Sequence, residues 1–510
     1  MPRPFRLTAP ALACAILMPV VSVSALAAPT LNSKAWTYTH DPAHGYLSEI
    51  VSFDSSSQTL WVAGVSGVDV LNARTGALVQ RIDTRAYGSI NSVAIHGGIA
   101  AMAFEAPVRT DPGNVRLFDT ATRSLLAGTN TFAVGALPDM LTFTPDGSKI
   151  LVANEGTPST YGAITSAPGA FPRTYGAAAL DPAGSVSIID LATRSVSATA
   201  TLTGVASTGT HIRSNTGMDF EPEYIAVNAA GTKAYVSLQE ANAMGVLDIQ
   251  NGSFERIVGL GVKDFSLPGN RIDPLNDGNA SLISVNAKGL YQPDALATFE
   301  RGGQTFVVMA NEGDFREDDG DRSRAGSAGL NAATPLDELR VSNTDSSAGN
   351  LFTAGARSFS IRDANGVLVY DSGEILDREA IAAGIYDDAR SRDKGVEPEG
   401  VELMEIDGRV FAFIGLERTL QAAIAAFDIT DPAHSTFIGL MIANGDRAPE
   451  GLEGYVLDGQ YYLAFSNEGS STTSVFRLSA VPEPGSLALA GLALFAVVGT
   501  RVQRARRGLS

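Results

Sequence analysis

Apolar and polar residues alternate in short runs along most of this chain. Each run stops at Gly, Asn or Asp, the pattern of β-strands joined by tight turns. One strand pair recurs five times: LPDMLTFTPDGSKILVANEG (Leu137–Gly156), EPEYIAVNAAGTKAYVSLQE (Glu221–Glu240), QPDALATFERGGQTFVVMANEG (Gln292–Gly313), EPEGVELMEIDGRVFAFIGLE (Glu397–Glu417) and PEGLEGYVLDGQYYLAFSNEG (Pro449–Gly469). Every copy opens with a Pro and a neighbouring acid and closes on a Glu 17 to 19 residues after that Pro. A second repeat fills the intervals. It is a strand ending in Asp or Asn, a polar turn and a further strand, as in NVRLFDTATRSLLAGT (Asn114–Thr129) and SVSIIDLATRSVSATATL (Ser185–Leu202).

Set in register, the two repeats make a four-stranded unit. Two degenerate units, Leu47–Ile82 and Ser89–Asn130, precede the five clear ones. Seven such sheets predict an all-β, seven-bladed β-propeller of four-stranded antiparallel blades, because radial repetition leaves only short, protected edges. The last unit lacks an outer strand, which Trp36–Thr39 is expected to supply and so close the ring. Insertions fall at Thr157–Ala183, Thr203–Phe220, Lys263–Leu290 and Asp314–Ala356, and Ile375–Arg392 has the composition of a short helix.

The 52 Gly and 24 Pro suit a large, turn-punctuated β protein. Residues 1–27, with Arg3, Arg6, an apolar stretch and Ala25-Leu26-Ala27, predict a secretory signal peptide. The propeller is expected over 35–480. Residues 481–507 carry Val481-Pro482-Glu483-Pro484, the apolar run Ser486–Thr500 and a cluster of arginines at 501, 504, 506 and 507, which predict a membrane-stopping C-terminal helix. The single Cys, Cys14, lies in the leader, so the exported body has no disulfide. Six of the 37 basic residues and none of the 55 acids lie in Met1–Ala27 and Gly485–Ser510, which leaves the body between them near −24. Such a body repels nucleic acid and favours cations.

Strands one and two of a unit are antiparallel, so the opening acids Asp139, Glu223, Asp294, Glu399 and Glu450 share one face with the closing acids Glu155, Glu240, Glu312, Glu417 and Glu468. The first strand of a blade is the innermost, and these groups should ring the mouth of the central channel. Crowded carboxylates point to a hard divalent cation, Ca²⁺ above all, with Asn154, Asn311 and Asn467 offering amide oxygens and Asp314 a further carboxylate. The alternative is that the acids are solvated or paired with Arg316 and Arg418. The unit at Ser48–Gly64 has no closing Glu, leaving the ring incomplete on one side. DFREDDGDR (Asp314–Arg322) does not have EF-hand spacing, and no GxSxG, Walker, HExxH or CxxC motif is present. The five His are scattered outside the acid-rich repeats, which argues against a Ser-His-Asp or zinc enzyme.

The segments VVMANEGDFR (Val307–Arg316), RSFSIRDANGVLVYDSG (Arg357–Gly373), KGVEPEGVELMEIDGRVFAFIGLER (Lys394–Arg418) and PEGLE (Pro449–Glu453) resemble the choice-of-anchor I proteins, secreted bacterial β-propellers related to mesenchyme-specific cell-surface glycoproteins. The C-terminal tail resembles the PEP-CTERM sorting signal of Gram-negative bacteria. That resemblance implies recognition by an exosortase, transient or stable anchoring by the tail, and display in the outer envelope or exopolysaccharide matrix. Phytase-like and esterase-like propellers share a similar Pro-Glu-Gly pattern. It therefore implies, as the alternative to a cation-dependent binding protein, a Ca²⁺-dependent phosphoesterase with Glu312, Glu417, Arg316 and Arg418 as catalytic candidates. Basic residues that would hold a phosphate, Arg316, Arg418 and Lys394, look sparse at the repeated face, which favours binding over hydrolysis.

Overall fold

The computed structural model describes residues 29–160, 181–213, 220–315 and 320–480. The signal peptide, the sorting tail and Arg316 lie outside the described residues.

Seven sheets of at least four strands form in sequence. The first holds Ile50–Asp54, Thr59–Gly64, Gly67–Asn72 and Leu78–Asp83, and the sixth Pro398–Ile406, Arg409–Leu416, Ala422–Asp428 and Thr436–Ala443. Within each, successive strands pair antiparallel in chain order. The innermost strands touch one another in turn, and that of the seventh sheet, Pro449–Leu457, returns to Ile50–Asp54 of the first. This closed ring is a β-propeller, the architecture expected from the repeats. Because every sheet is covered on both faces, its middle strands are apolar throughout rather than alternating. Ile150–Ala153 and Val410–Leu416 are buried end to end. Rings from neighbouring sheets interdigitate, as where Phe359 meets Phe427 edge-on at 4.5 Å.

The second repeat is turn chemistry. Asn72, Asp119, Asp190, Asp248 and Asp428 end their strands and accept hydrogen bonds from backbone N–H groups two or three residues on. Those side chains are therefore structural, and they separate from the acids of the first repeat.

Closure follows the expected route with a longer strand. Pro29–Thr39 pairs with Thr472–Ala480 as the outer strand of the last sheet. Beyond its end, the buried His40 ring is within 2.9 Å of Asp69 in the first sheet and 2.8 Å of Thr473 in the last. Trp36 donates to the Ala73 carbonyl, and Trp61 is fully buried.

Two insertions that look independent in sequence fold together. Val262–Asp264, Lys288–Leu290 and Phe352–Thr353 form one small sheet, Arg322–Arg324 and Arg340–Ser342 another. Phe265, Leu330, Leu339, Val341 and Leu351 give them a core of their own. A helix over Ile375–Ala382, shorter than the expected segment, leads from this layer to the sixth sheet.

Candidate functional site

A β-bulge opens the innermost strand of five sheets, and the ring residue sits in it. Register slips between Pro138 and Met140, Pro222 and Ile225, Pro398 and Val401, and Pro449 and Leu452, and in the second sheet between Ile90 and Ser92. Bulges re-aim a side chain. Here they turn Asp139, Glu223, Glu399, Glu450 and, in the second sheet, Asn91 toward the axis. In the first and fifth sheets Glu49 and Asp294 occupy the same step without a bulge: each donates its backbone N–H to the second strand, at Ala63 and Ala310. Leu137, Glu397 and Ala448, directly before the opening Pro, and Gln292 before Pro293, all adopt positive φ between 41° and 53°. A backbone so unfavourable for these residues persists only where its surroundings fix it.

The Gly of Pro-Glu-Gly lets adjacent inner strands close. A Cβ on Gly400 would lie 2.1 Å from the Glu450 carbonyl oxygen of the next sheet, and one on Gly451 2.7 Å from that of Glu49.

Asp139, Glu155, Glu223, Asp294, Glu399 and Glu450 line one hollow of about 240 Å³ at the channel mouth. The hollow is partly open and its carboxyls are half-buried, and they respond as desolvation dictates. Desolvation, then repulsion from neighbouring acids, pushes Glu223, Asp294, Glu399 and Glu450 well above the usual carboxylate range. Burial raises Asp139 to about 6, with Arg109 offsetting part of the rise, and raises Glu155 to about 7. Glu49 reaches about 7 through burial and repulsion from Glu468. Glu49 gives the first sheet an opening acid, while the second strand of that sheet, Thr59–Gly64, ends on Gly64 without the closing Glu, as the sequence pattern indicates. One oxygen each of Glu223, Glu399 and Glu450 is buried without a hydrogen-bond partner.

Next to this hollow two triads converge. Carboxylate oxygens of Asp294, Glu312 and Glu399 lie within 4.8 Å of one another, as do those of Glu312, Glu397 and Glu417. Oxygens bound to one Ca²⁺ at about 2.3–2.6 Å are separated by up to about 5 Å, so either triad has the spacing of a single ion. The second already holds internal cations. Lys394 contacts Glu312 and lies 3.0 Å from Glu397, Arg390 donates to Glu397 at 2.6 Å, and Arg418 pairs with Glu417 at 2.7 Å. Even so, burial and repulsion from Glu312 and Glu397 push Glu417 up to about 8. The ion-paired reading thus describes Glu312, Glu397 and Glu417, whereas Asp294 and Glu399 keep oxygens facing the hollow.

Other expected groups stand elsewhere. Glu240 is buried beside Glu223, and Glu468 is exposed in a short turn, Glu468–Ser470. Asp314 lines a separate pocket. Two of the three amides expected to serve as ligands are taken up by the sheets: Asn311 bonds Ser358 and Ser360, and Asn154 bonds Gly135, Ser185 and Ser187. Hydrogen bonds within the sheets consume those two oxygens, whereas Asn467 donates to Thr472 and its oxygen is buried without a hydrogen-bond partner. His211, exposed, touches Thr210 and Phe352 rather than any acid of the ring.

Three features escape the repeat pattern. Glu397, immediately before Pro398, joins the second triad. Glu402 and Glu453, three residues beyond Glu399 and Glu450, form a second, half-buried tier, Glu453 raised to about 8 by desolvation. Basic residues are not sparse: Arg322, Arg340, Arg390 and Lys394 cluster beside the mouth. They come from the insertion and the linker after the helix, where no repeat marks them.

Among the described residues no helix is long and apolar enough to cross a membrane. The model of the choice-of-anchor I domain matches residues 49–432, and that of the PEP-CTERM protein-sorting motif matches residues 480–507. Among solved structures, Kuenenia stuttgartiensis hydrazine synthase is similar at 11% identity and a TM-score of 0.49, covering 86% of this chain and 97% of that one. A mitotic checkpoint complex chain is similar at 10% identity and a TM-score of 0.48, covering 93% and 98%. No curated protein matches the chain.

Proposed function

We propose that this protein, which belongs to the choice-of-anchor I family, is an exported surface β-propeller that holds a divalent cation in its acidic mouth and presents it to a ligand in the cell envelope. The sorting motif at its C-terminus directs the chain to the envelope and marks it for an exosortase-type system. The cation reading rests on one observation: Asp294 and Glu399, at ion-binding spacing from each other and from the Lys394-paired Glu312, line a hollow where Glu223, Glu399 and Glu450 each bury an unpartnered oxygen. Buried charge without a partner is unfavourable, and a hard cation relieves it with oxygen ligands alone. Ca²⁺ suits the variable separation of these groups better than Mg²⁺, which demands near-ideal octahedral geometry. Display in the exopolysaccharide matrix would place the mouth among polar and anionic ligands, which a bound cation can bridge to an otherwise repellent surface.

The test is calorimetric titration of the chelator-stripped protein with CaCl₂ and MgCl₂ at pH 8, with a phosphomonoester assay on the loaded form. Saturable Ca²⁺ binding without turnover is expected. A flat Ca²⁺ titration overturns the cation site, and Ca²⁺-dependent turnover abolished by Glu312→Gln or Glu417→Gln moves the reading from binding to phosphoester hydrolysis, with Lys394 and Arg418 as the nearest cations to the leaving charge.

A further inference from the structure

We infer that the pocket beside the acidic mouth, lined by Arg322, Arg340, Arg390 and Lys394, binds a tetrahedral oxyanion group such as a phosphoryl or sulfuryl ester. It stands on its own geometry and does not require the cation.

The first observation is an unfavourable pairing built into the fold. In the hairpin of Arg322–Arg324 and Arg340–Ser342, Arg324 lies directly opposite Arg340. Like charges in that position destabilise a strand pair. A single carboxylate oxygen of Asp393 serves both, 3.0 Å from Arg324 and 2.9 Å from Arg340. One acid between two guanidinium groups leaves positive charge over. Burial, then repulsion from Arg340, holds Arg322 below the usual arginine range.

The second observation is unused donors. Arg340 spends only its Nε on Asp393, and its two terminal nitrogens meet no acceptor among the described residues. Arg390 turns Nε and one terminal nitrogen to Glu397, leaving the other. Planar forks of this kind match the oxygens of phosphate or sulfate in pairs.

The remaining lining groups fit the same ligand. Phe315 and Ala354 supply an apolar floor, and the two acids of the lining, Asp314 and Asp393, stand against four cationic side chains. The cavity measures about 20 Å³, room for one or two waters, so it takes one or two oxygens of a tetrahedral head and excludes a sugar ring. Lys394 spans both sites: it lines this pocket while contacting Glu312 in the acidic triad.

The experiment is calorimetry of the full exported chain in excess chelator with inorganic phosphate, sulfate and glucose 6-phosphate, against chloride at matched ionic strength. Saturable binding of at least one oxyanion is expected, and weakening of about tenfold or more in Arg340→Gln or Arg322→Gln, with unfolding midpoints checking that each variant folds. Binding of phosphate and its ester without sulfate assigns a phosphoryl site, and equal binding of sulfate assigns a general oxyanion site. Absence of saturable binding by all three, or wild-type affinity in both variants, overturns the inference. A flat Ca²⁺ titration alongside intact phosphate binding removes the cation reading alone.

Discussion

A single carboxyl decides how the mouth behaves. Glu399 lies in a bulge, has one buried oxygen without a partner, and is raised by burial and by Glu417, Glu312 and Glu450. Glu399→Gln keeps the shape and removes one of several like charges. It should therefore stabilise the ion-free protein at pH 8 by about 1–3 kcal/mol while reducing Ca²⁺ affinity. Thermal unfolding in chelator reads the first effect, and a destabilised variant would contradict crowding of unpaired charge. Most ring residues were legible in sequence because Pro, acid and spacing recur together. Glu49 was not, since its unit lacks the Pro. Glu397 was hidden by its neighbour: two acids flank Pro398, and only the backbone, left-handed at Glu397 and bulged at Glu399, sends them to different triads. Arg340 carries no signal at all, because its role depends on a hairpin within an insertion.

At the level of strands, closure of the ring rests on a connection more than four hundred residues long in sequence. His40 binds Asp69 of the first sheet and Thr473 of the last, and Arg81 also binds Asp69 at 2.7 Å. Burial alone would raise the Asp69 pKa, but these hydrogen bonds more than offset it and hold the carboxylate low. His40→Ala leaves the buried Asp69 short of one donor and Thr473 short of its ring partner. A cost of about 2–4 kcal/mol is expected, with amide exchange accelerating first in Thr472–Ala480 and Gly67–Asn72. Uniform acceleration across all seven sheets would show that His40 does not act at closure. The seven units and the strand that completes the last were readable from alternation and turn residues, since those are local signals. The layer built from Lys263–Leu290 and Asp314–Ala356 was not, because its strands are two or three residues long and pair across distant segments, Lys288 with Phe352 among them.

Across the whole molecule, an acidic body with raised carboxyls has a stability profile unlike that of most soluble proteins. Asp139, Glu155, Glu49, Glu417 and Glu453 have folded pKa values of about 6, 7, 7, 8 and 8, whereas unfolded carboxyls titrate near 4. Between those limits the folded chain holds protons that the unfolded chain has released, so stability falls as pH rises. The contribution of these groups is full below about pH 4 and is lost on passing through pH 6 to 8. Turn acids act in the opposite sense: Asp83 and Asp146, held near 2 by hydrogen bonds from Arg85 and from Thr144 and Ser148, contribute above pH 4 and lose that contribution as pH falls toward 2. The ion-free protein should therefore be most stable near pH 4–5 and decline toward pH 8. Cation binding requires ionised ligands and competes with those same protons, so added Ca²⁺ should raise the unfolding midpoint little at pH 5 and most at pH 8, flattening the profile. Midpoints at half-unit pH steps, with chelator and with Ca²⁺, measure both curves. A midpoint in chelator that climbs from pH 5 to 8 would mean that the mouth is ionised and solvated throughout, and the buried ring of carboxyls would lose its standing as a cation site.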